Sequence, residues 1–133
     1  SKDLKGNKYE INSESGHFDK KNDELIFMTN VTAKVLLRNN NTIYITSDKA
    51  EYNNKNSDTY FSENIKIKYI EYKIYCEKLN FMFTKNLMSL KENIIYQSKY
   101  ESFFADAMEM NLITKETKIF MNDKSKKVKF LKK

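Results

Sequence analysis

The sequence contains no proline, no tryptophan and only two glycines, and it has a single cysteine, a single histidine and a single arginine. One cysteine excludes an internal disulfide, and two glycines exclude a glycine-rich phosphate-binding loop. Without proline and almost without glycine, the turns must be formed by Asn, Asp, Ser and Lys, which tolerate turn conformations. No apolar run approaches the roughly 18 residues that a membrane-spanning helix requires.

What is present indicates a folded protein. Hydrophobic residues make up 40% of the 133 residues and aromatic residues 14%, which is too rich for a disordered chain. We expect one domain over residues 1–133. The net charge of +6 fits either a solvated lysine-rich surface or an anionic partner. The densest basic run, residues 124–133, holds lysine and no arginine, which is a poor signature for nucleic acid. We therefore expect no nucleic-acid partner.

A similar phrase of strand-forming residues occurs four times. The equivalent positions are Gly16, Ala50, Leu79 and Met108, separated by 34, 29 and 29 residues. Three positions earlier each copy has a small residue: Ser13, Ser47, Cys76 and Ala105. Fourteen positions later each copy has an asparagine: Asn30, Asn64, Asn93 and Asn122. Repeats of this length predict stacked units that bury their apolar sides against their neighbours.

The apolar residues recur with a period of two, which predicts strands with one buried and one wet side. Examples are Val31, Ala33, Val35 and Leu37. Turn-forming residues interrupt the pattern at residues 20–23, 39–41, 53–57, 85–86 and 115–116. We therefore predict an all-β domain with about four short strands per repeat. The whole would have 15–16 antiparallel strands folded over into two facing sheets with an apolar interior.

The residue types that support catalysis are isolated. His17 has Glu51, Asn80 and Glu109 as its repeat equivalents, so we expect it on the surface, and a lone histidine does not predict a zinc site. Cys76 occupies the small-residue position and is expected to be a packing residue. Three acidic residues are conceivable acid–base groups, but nothing in the sequence pairs them: Asp58, Glu63 and Asp106. We expect no enzyme, no metal and no cofactor.

The repeated asparagine and the apolar side each have two interpretations. The asparagine is expected to be a turn residue in a left-handed conformation, and the alternative is a polar ladder that binds something. The apolar side is either an ordinary core or an interior that holds lipid, and its many Phe, Tyr and Met side chains suit a variable apolar ligand.

Two segments resemble the OstA-like domain of the bacterial lipopolysaccharide transport proteins LptA, LptC and LptD. The first is IYITSDKAEYNNKNSDTYFSENIKI, residues 43–67, and the second is ADAMEMNLITKETKIFMND, residues 105–123. The resemblance implies a β-jellyroll whose apolar groove holds lipopolysaccharide acyl chains. It also implies that the domain lies in the periplasm and joins its partners edge to edge.

The LptC branch is favoured, because about four repeats and a short closing tail match its single domain. That branch implies an inner-membrane helix preceding the domain. It further implies that the N-terminal edge, residues 8–13, faces the transporter LptB/LptF/LptG. The C-terminal edge, residues 118–121 and 127–131, would then face LptA. An LptA-type bridge protein remains open.

The inward side chains expected to bind lipid share the apolar side of the strands. They are Ile45, Phe61, Ile67, Ile74, Phe81, Phe83, Ile94, Tyr96, Phe103 and Met110. Two alternatives of other classes stay open. One is a structural module that joins proteins through its edges, with a filled core and no groove. The other is a basic nucleic-acid binder, which predicts steeply salt-dependent retention on DNA or RNA.

Overall fold

A computed structural model of the chain describes residues 6–121 and 129–132. This described part contains one short 3-10 turn, Phe83–Lys85, and nine strands. The strands are β1 (Lys8–Phe18), β2 (Leu25–Leu36), β3 (Thr42–Asn53), β4 (Thr59–Tyr69), β5 (Tyr72–Met82), β6 (Leu87–Gln97), β7 (Glu101–Asn111), β8 (Thr117–Phe120) and β9 (Lys129–Lys132).

All the strands belong to one antiparallel sheet in which neighbours in sequence are neighbours in space. The order runs from β1 to β8 without a crossover. Strand β8 pairs with the second half of β7, and β9 pairs with its first half. Strand β1 forms the other edge. The predicted all-β antiparallel class is confirmed.

The sheet buries one side of each strand, as the period of two predicts. In β2, Val31, Ala33 and Val35 are at most 3% exposed, whereas the intervening Thr32 and Lys34 are exposed. The buried side chains of β1 to β7 form a single apolar core. Hydrophobic burial on one side is therefore the force that holds this sheet in a folded shape.

The sheet curls over on itself, so that distant strands touch. The ring of Tyr9 in β1 lies edge-on to Phe81 in β5, with centroids 4.9 Å apart, and its hydroxyl bonds Thr59 Oγ1 at 2.7 Å. In a flat sheet β1 and β5 would be about 19 Å apart, because neighbouring strands are spaced by roughly 4.8 Å. The apolar sides of two parts of one sheet therefore face each other.

The repeated asparagines lie where the long strands bend. Asn30, Asn64 and Asn93 have φ of 52°, 53° and 54°, at the middle of β2, β4 and β6. In β4 and β6 the preceding glutamate also has a positive φ, and the pairing register shifts there by one residue on both sides. These shifts are β-bulges, which bend a strand and increase its twist. The left-handed conformation expected for the asparagines is confirmed for these three, while Asn122 lies outside the described residues.

The number and length of the strands differ from the prediction. The segments before and after Asn30, Asn64 and Asn93, predicted to be separate short strands, are two halves of one strand of 11 or 12 residues. In β4 and β6 the reason is that a bulge bends the chain without ending the hydrogen-bonded ladder. In β2 the pairing with β1 and β3 continues past Asn30 in the same register. The facing layers are accordingly parts of one continuous sheet.

An acidic side chain of the preceding strand holds each of the first two bends. Asn30 Nδ2 donates to Glu14 Oε2 and Asn64 Nδ2 donates to Asp48 Oδ2, both at 2.6 Å. Each partner lies 16 residues before its asparagine. The same spacing separates Glu77 from Asn93 in the sequence, and Glu77 Oε2 accepts a hydrogen bond from the backbone of Asn64 at 3.1 Å. The polar row across the bends is thus a structural element.

Two of the repeated small residues form hydrogen bonds to the backbone close to the bends. Ser47 Oγ donates to the carbonyl of Lys49 at 3.0 Å, and Cys76 Sγ donates to the carbonyl of Lys78 at 3.6 Å. Ser47, Cys76 and Ala105 are all buried. A small side chain fits here because the bulge brings the backbone close to it. The predicted packing role of Cys76 agrees with this position.

The five turns marked in the sequence all fall in connections between strands. Two further connections, residues 70–71 and 98–100, carry no such mark. Ile70 has φ 53°, which is unfavourable for a β-branched residue. The sequence pattern did not predict this turn, because the turn is imposed by strand pairing and not by turn-forming residues. The pairing of Tyr69 with Tyr72 leaves only two residues to reverse the chain between β4 and β5.

We expect Asn64→Val to lower the free energy of unfolding by about 1–2 kcal/mol, because a β-branched side chain disfavours the left-handed conformation. Asn64→Gly should retain stability better, because glycine adopts this conformation freely. The matched control is Asn80→Val, at an exposed extended position of β5, where a change within about 0.5 kcal/mol is expected. Urea unfolding measures all three, and equal losses in the two valine variants would contradict the role of the bend.

Candidate functional site

The ten side chains predicted to bind lipid all lie on the inner side of the sheet. Eight are buried, with exposures of 0–4%: Ile45, Phe61, Ile67, Ile74, Phe81, Phe83, Ile94 and Phe103. The other two, Tyr96 and Met110, are partly buried and pack against the same core. The inward direction of the set is therefore confirmed, whereas its binding of lipid stays a prediction.

An apolar cavity of about 200 Å³ opens at one end of this interior. One side of the lining comes from the start of β3, the end of β4, the start of β5 and the end of β6, with Leu37 from the connection between β2 and β3. The facing wall is the end of β7 with the turn that leads into β8. The lining residues are Leu37, Ile43, Ile67, Tyr69, Tyr72, Ile74, Tyr96, Met110, Asn111, Leu112, Lys115 and Thr117.

The cavity divides the predicted set. Four of the ten residues line it: Ile67, Ile74, Tyr96 and Met110. The other six do not line it: Ile45, Phe61, Phe81, Phe83, Ile94 and Phe103. Phe81 and Phe83 pack around Tyr9, at centroid distances of 4.9 Å and 5.5 Å. Alternation identifies the inner side, but it does not distinguish filled space from open space along that side.

Aromatic rings form the side of the cavity nearest to β6. The ring of Tyr96 stacks on Phe103 at 4.6 Å and lies 5.6 Å from Tyr72. Burial, together with the neighbouring charges of Tyr72 and Glu101, raises the pKa of Tyr96 from 10.0 to about 12. A tyrosine at the ordinary value of 10.0 is already neutral near pH 7, so the raised pKa only extends the range over which the Tyr96 ring presents no charge to an apolar ligand.

The cavity residues that the prediction missed fall into two groups. The first group follows the same inward alternation, so the pattern itself contained the signal: Leu37, Ile43, Tyr69, Tyr72 and Leu112. The second group, Asn111, Lys115 and Thr117, lies in the turn between β7 and β8 or at the strand ends beside it, where alternation stops. Their place in the lining depends on the folding over of the sheet, which no local pattern reveals.

The residues considered for catalysis are not brought together. His17 is exposed, as expected, and its ring lies 5.6 Å from that of Phe27. Glu63 forms an ion pair with Lys49 at 3.0 Å, at the bend of β4. Asp58 lies in the turn between β3 and β4, and Asp106 lies in β7.

Two searches of the described residues returned nothing. No group of three or more His, Cys, Asp or Glu side chains in this part of the chain could hold a metal ion. Within the same residues, no helix is long and apolar enough to cross a membrane.

The fold is that of a known solved structure. LptH of Pseudomonas aeruginosa, described as the LptA-homologous periplasmic component of the conserved lipopolysaccharide transport device, superposes with a TM-score of 0.69 at 9% identity. The match covers 93% of this chain and 94% of LptH. A search of curated protein sequences finds no match. The open, folded-over sheet with an apolar interior is therefore a β-jellyroll of the LptA/OstA-like class, as predicted.

Residues 2–132 match the family of LptC-related lipopolysaccharide-assembly proteins. Because the match spans nearly the whole chain, the protein belongs to this family. The family is one of lipid transport and not of enzymes. The resemblance that the two sequence segments indicated is thereby confirmed.

We expect Cys76 to react with a disulfide reagent on the order of 100-fold more slowly in the folded protein than in denaturant, since burial raises the pKa of its thiol from 9.0 to about 12.

The raised pKa of the Cys76 thiol also predicts a loss of stability at high pH. Below pH 9.0 both states keep the proton, and between pH 9.0 and about 12 only the unfolded thiol ionises. The free energy of unfolding should fall there by up to about 1.4 kcal/mol per pH unit more than in Cys76→Ala. Equal pH profiles of the two proteins would contradict the assignment.

We expect Ile74→Phe to change the free energy of unfolding by less than about 1 kcal/mol, because the larger ring can extend into the cavity. The matched control is Ile94→Phe, at a fully buried position of β6 that does not line the cavity. Overpacking there should cost about 1–3 kcal/mol. Urea unfolding of both variants compares the two sites. If Ile74→Phe destabilises as much as Ile94→Phe, that end of the interior is filled.

Proposed function

We propose that the protein is a non-catalytic lipid-transfer module of a lipopolysaccharide export bridge. It acts in the periplasm as one domain over residues 1–133, tethered to the inner membrane. It accepts lipopolysaccharide from the transporter LptB/LptF/LptG and passes it to LptA. Membership of the LptC-related family supports this proposal, and the observation that carries it is the largely apolar cavity at one end of the interior, in whose lining Lys115 is the one charged residue.

The acyl chains of the lipid would enter the cavity between the two walls. Contact with Ile67, Ile74 and Met110 removes apolar surface from water, which is worth about 25 cal/mol per Å² before the cost of immobilising the ligand. The wall of Tyr72 and Tyr96 adds broad, neutral rings. Such contacts recognise chain length and shape and not a particular functional group, which suits a transfer step.

The edges of the sheet would carry the protein partners. Strand β1, with residues 8–13, is proposed to face the transporter, and it forms one edge of the sheet. At the opposite edge, β8 and β9 are proposed to face LptA, although residues 127 and 128 of this predicted edge lie outside the described part. An edge strand offers unpaired backbone groups that another strand can complete.

A structural module without lipid transfer is the second candidate. The observation that favours it is the filled part of the interior, where six of the ten predicted lipid-binding side chains belong to the buried core and do not line the apolar cavity. Such a module would bind its partners through its edges alone.

A photo-crosslinking amino acid at Tyr96 should label lipopolysaccharide added to the full chain, because this side chain lines the cavity. The same probe at Lys66, an exposed position of β4, is the outward control. Introducing Ile74→Phe into the Tyr96 probe protein should reduce labelling, because the ring occupies the space of an acyl chain. Labelling from Tyr96 no stronger than from Lys66 would exclude the cavity as the lipid site and favour the structural module.

A further inference from the structure

A second, polar cavity adjoins the apolar one. It has a volume of about 310 Å³ and is lined by Asn7, Arg38, Asn39, Leu112, Ile113 and Lys115. Leu112 and Lys115 also line the apolar cavity. The two spaces therefore meet at the turn between β7 and β8, and a molecule that extends from one to the other passes from apolar to polar surroundings.

Among the residues that the structure describes, the lining of the polar cavity has two positive charges and no negative one. Arg38 and Lys115 are both exposed, and neither forms an ion pair with another residue of the described part. Within residues 6–121 and 129–132, no aspartate or glutamate lines either cavity. Elsewhere in the described part Lys49 and Lys78 are paired with glutamates at 3.0 Å and 3.1 Å. The charges at the cavity are thus available to an external anion.

A buried polar bridge holds the two cation-bearing turns together. Asn7 Oδ1 accepts from the backbone N–H of Arg38 at 3.1 Å, and Asn7 Nδ2 donates to Asn86 Oδ1 at 2.7 Å. The carbonyl of Asn86 in turn accepts from the backbone N–H of Leu112 at 2.8 Å. Asn7 and Asn86 are only 2% and 5% exposed. Because a buried hydrogen-bonded pair is costly to separate, the positions of the two turns are set before a ligand arrives.

The turn that carries Lys115 is ordered in its own right. The backbone N–H of Lys115 donates to the carbonyl of Asn111 at 2.9 Å. Asn111 Oδ1 accepts from the backbone N–H groups of Ile113 and Thr114 at 2.9 Å and 3.0 Å. The backbone beneath the lysine is therefore fixed, and only its side chain has to adapt to a ligand.

We propose that Arg38 and Lys115 bind the phosphate headgroup of an anionic lipid whose acyl chain lies in the adjoining apolar cavity. This inference rests on the proposed function and adds to it the residues that bind the polar end of the lipid. The arginine fork matches two phosphate oxygens, and the lysine adds a compact point charge. The bound lipid is thereby oriented, with its chain inside and its headgroup at the turns between β2 and β3 and between β7 and β8.

The test compares three probes that separate the two ends of the ligand. Dodecyl phosphate has the chain and the anion, dodecyl maltoside has the chain alone, and inorganic phosphate has the anion alone. Each probe is titrated into the full chain, the two amphiphiles below their critical micelle concentrations. Binding is followed by chemical-shift changes in the protein NMR spectrum. Dodecyl phosphate is expected to bind most tightly, and its affinity alone among the two amphiphiles should fall as sodium chloride is added.

The variant R38Q/K115Q removes both charges and leaves the backbone bonds of the bridge intact. It should bind dodecyl phosphate about tenfold more weakly, because exposed charge-assisted hydrogen bonds have been lost, and dodecyl maltoside with unchanged affinity. The matched control is K55Q/K68Q, which removes two exposed lysines that line neither cavity. It has the same net charge and should bind both amphiphiles as the unmodified protein does. An unchanged thermal midpoint verifies that both variants are folded.

The outcomes separate this inference from the proposed function. If R38Q/K115Q binds dodecyl phosphate as tightly as the unmodified protein, or if K55Q/K68Q loses as much affinity, the headgroup site is wrong while the apolar cavity stands. If inorganic phosphate binds as tightly as dodecyl phosphate, the cations form an ion site unconnected to the cavity, which also overturns the inference. If neither amphiphile binds, both the headgroup site and the proposed function are wrong.

Discussion

The architecture depends on the bend at the middle of the long strands. Asn30, Asn64 and Asn93 take a left-handed backbone conformation there, which asparagine tolerates and most other residues do not. Without these bends, strands of 11 or 12 residues would form an extended sheet with a solvated apolar side. With them the apolar side turns inward, Tyr9 reaches Phe81, and the core becomes possible. Hydrophobic burial then stabilises the conformation that the asparagines permit.

The interior formed in this way has two parts with different consequences. Around Tyr9 the facing layers meet, and aromatic side chains fill the space between them. Burial raises the pKa of the Tyr9 hydroxyl, which keeps its proton and its bond to Thr59. At the ends of β3 to β6 the facing wall is the turn between β7 and β8, and there the layers leave a cavity. The packed part supplies stability, so the open part can remain unfilled and accessible to a ligand.

Much of the fold is predictable from local patterns, and the failures have specific causes. Alternation places all ten proposed lipid-binding side chains on the inner side, and the left-handed asparagines follow from the repeat. The strand count was wrong because Asn64 and its equivalents bend a strand without ending it. The acidic partners Glu14 and Asp48 were overlooked, although an acidic residue lies 16 positions before each repeated asparagine. Of the ten site residues, six do not line the apolar cavity, since alternation carries no information on how closely two layers approach.

By itself the sequence determines the repeat, the inner side of every strand and the positions at which the strands bend, because these depend on period-two alternation and on backbone preferences of single residues. Its family was indicated by the resemblance of residues 43–67 and 105–123 to a known domain, and the match over residues 2–132 shows it. Only the tertiary structure decides which inner side chains meet and which leave space. It alone brings Asn7 to Asn86, 79 residues apart, and so places Arg38 and Lys115 beside one apolar cavity. Such contacts arise when a sheet folds over, and their geometry is set by packing between layers that no local stretch of sequence contains.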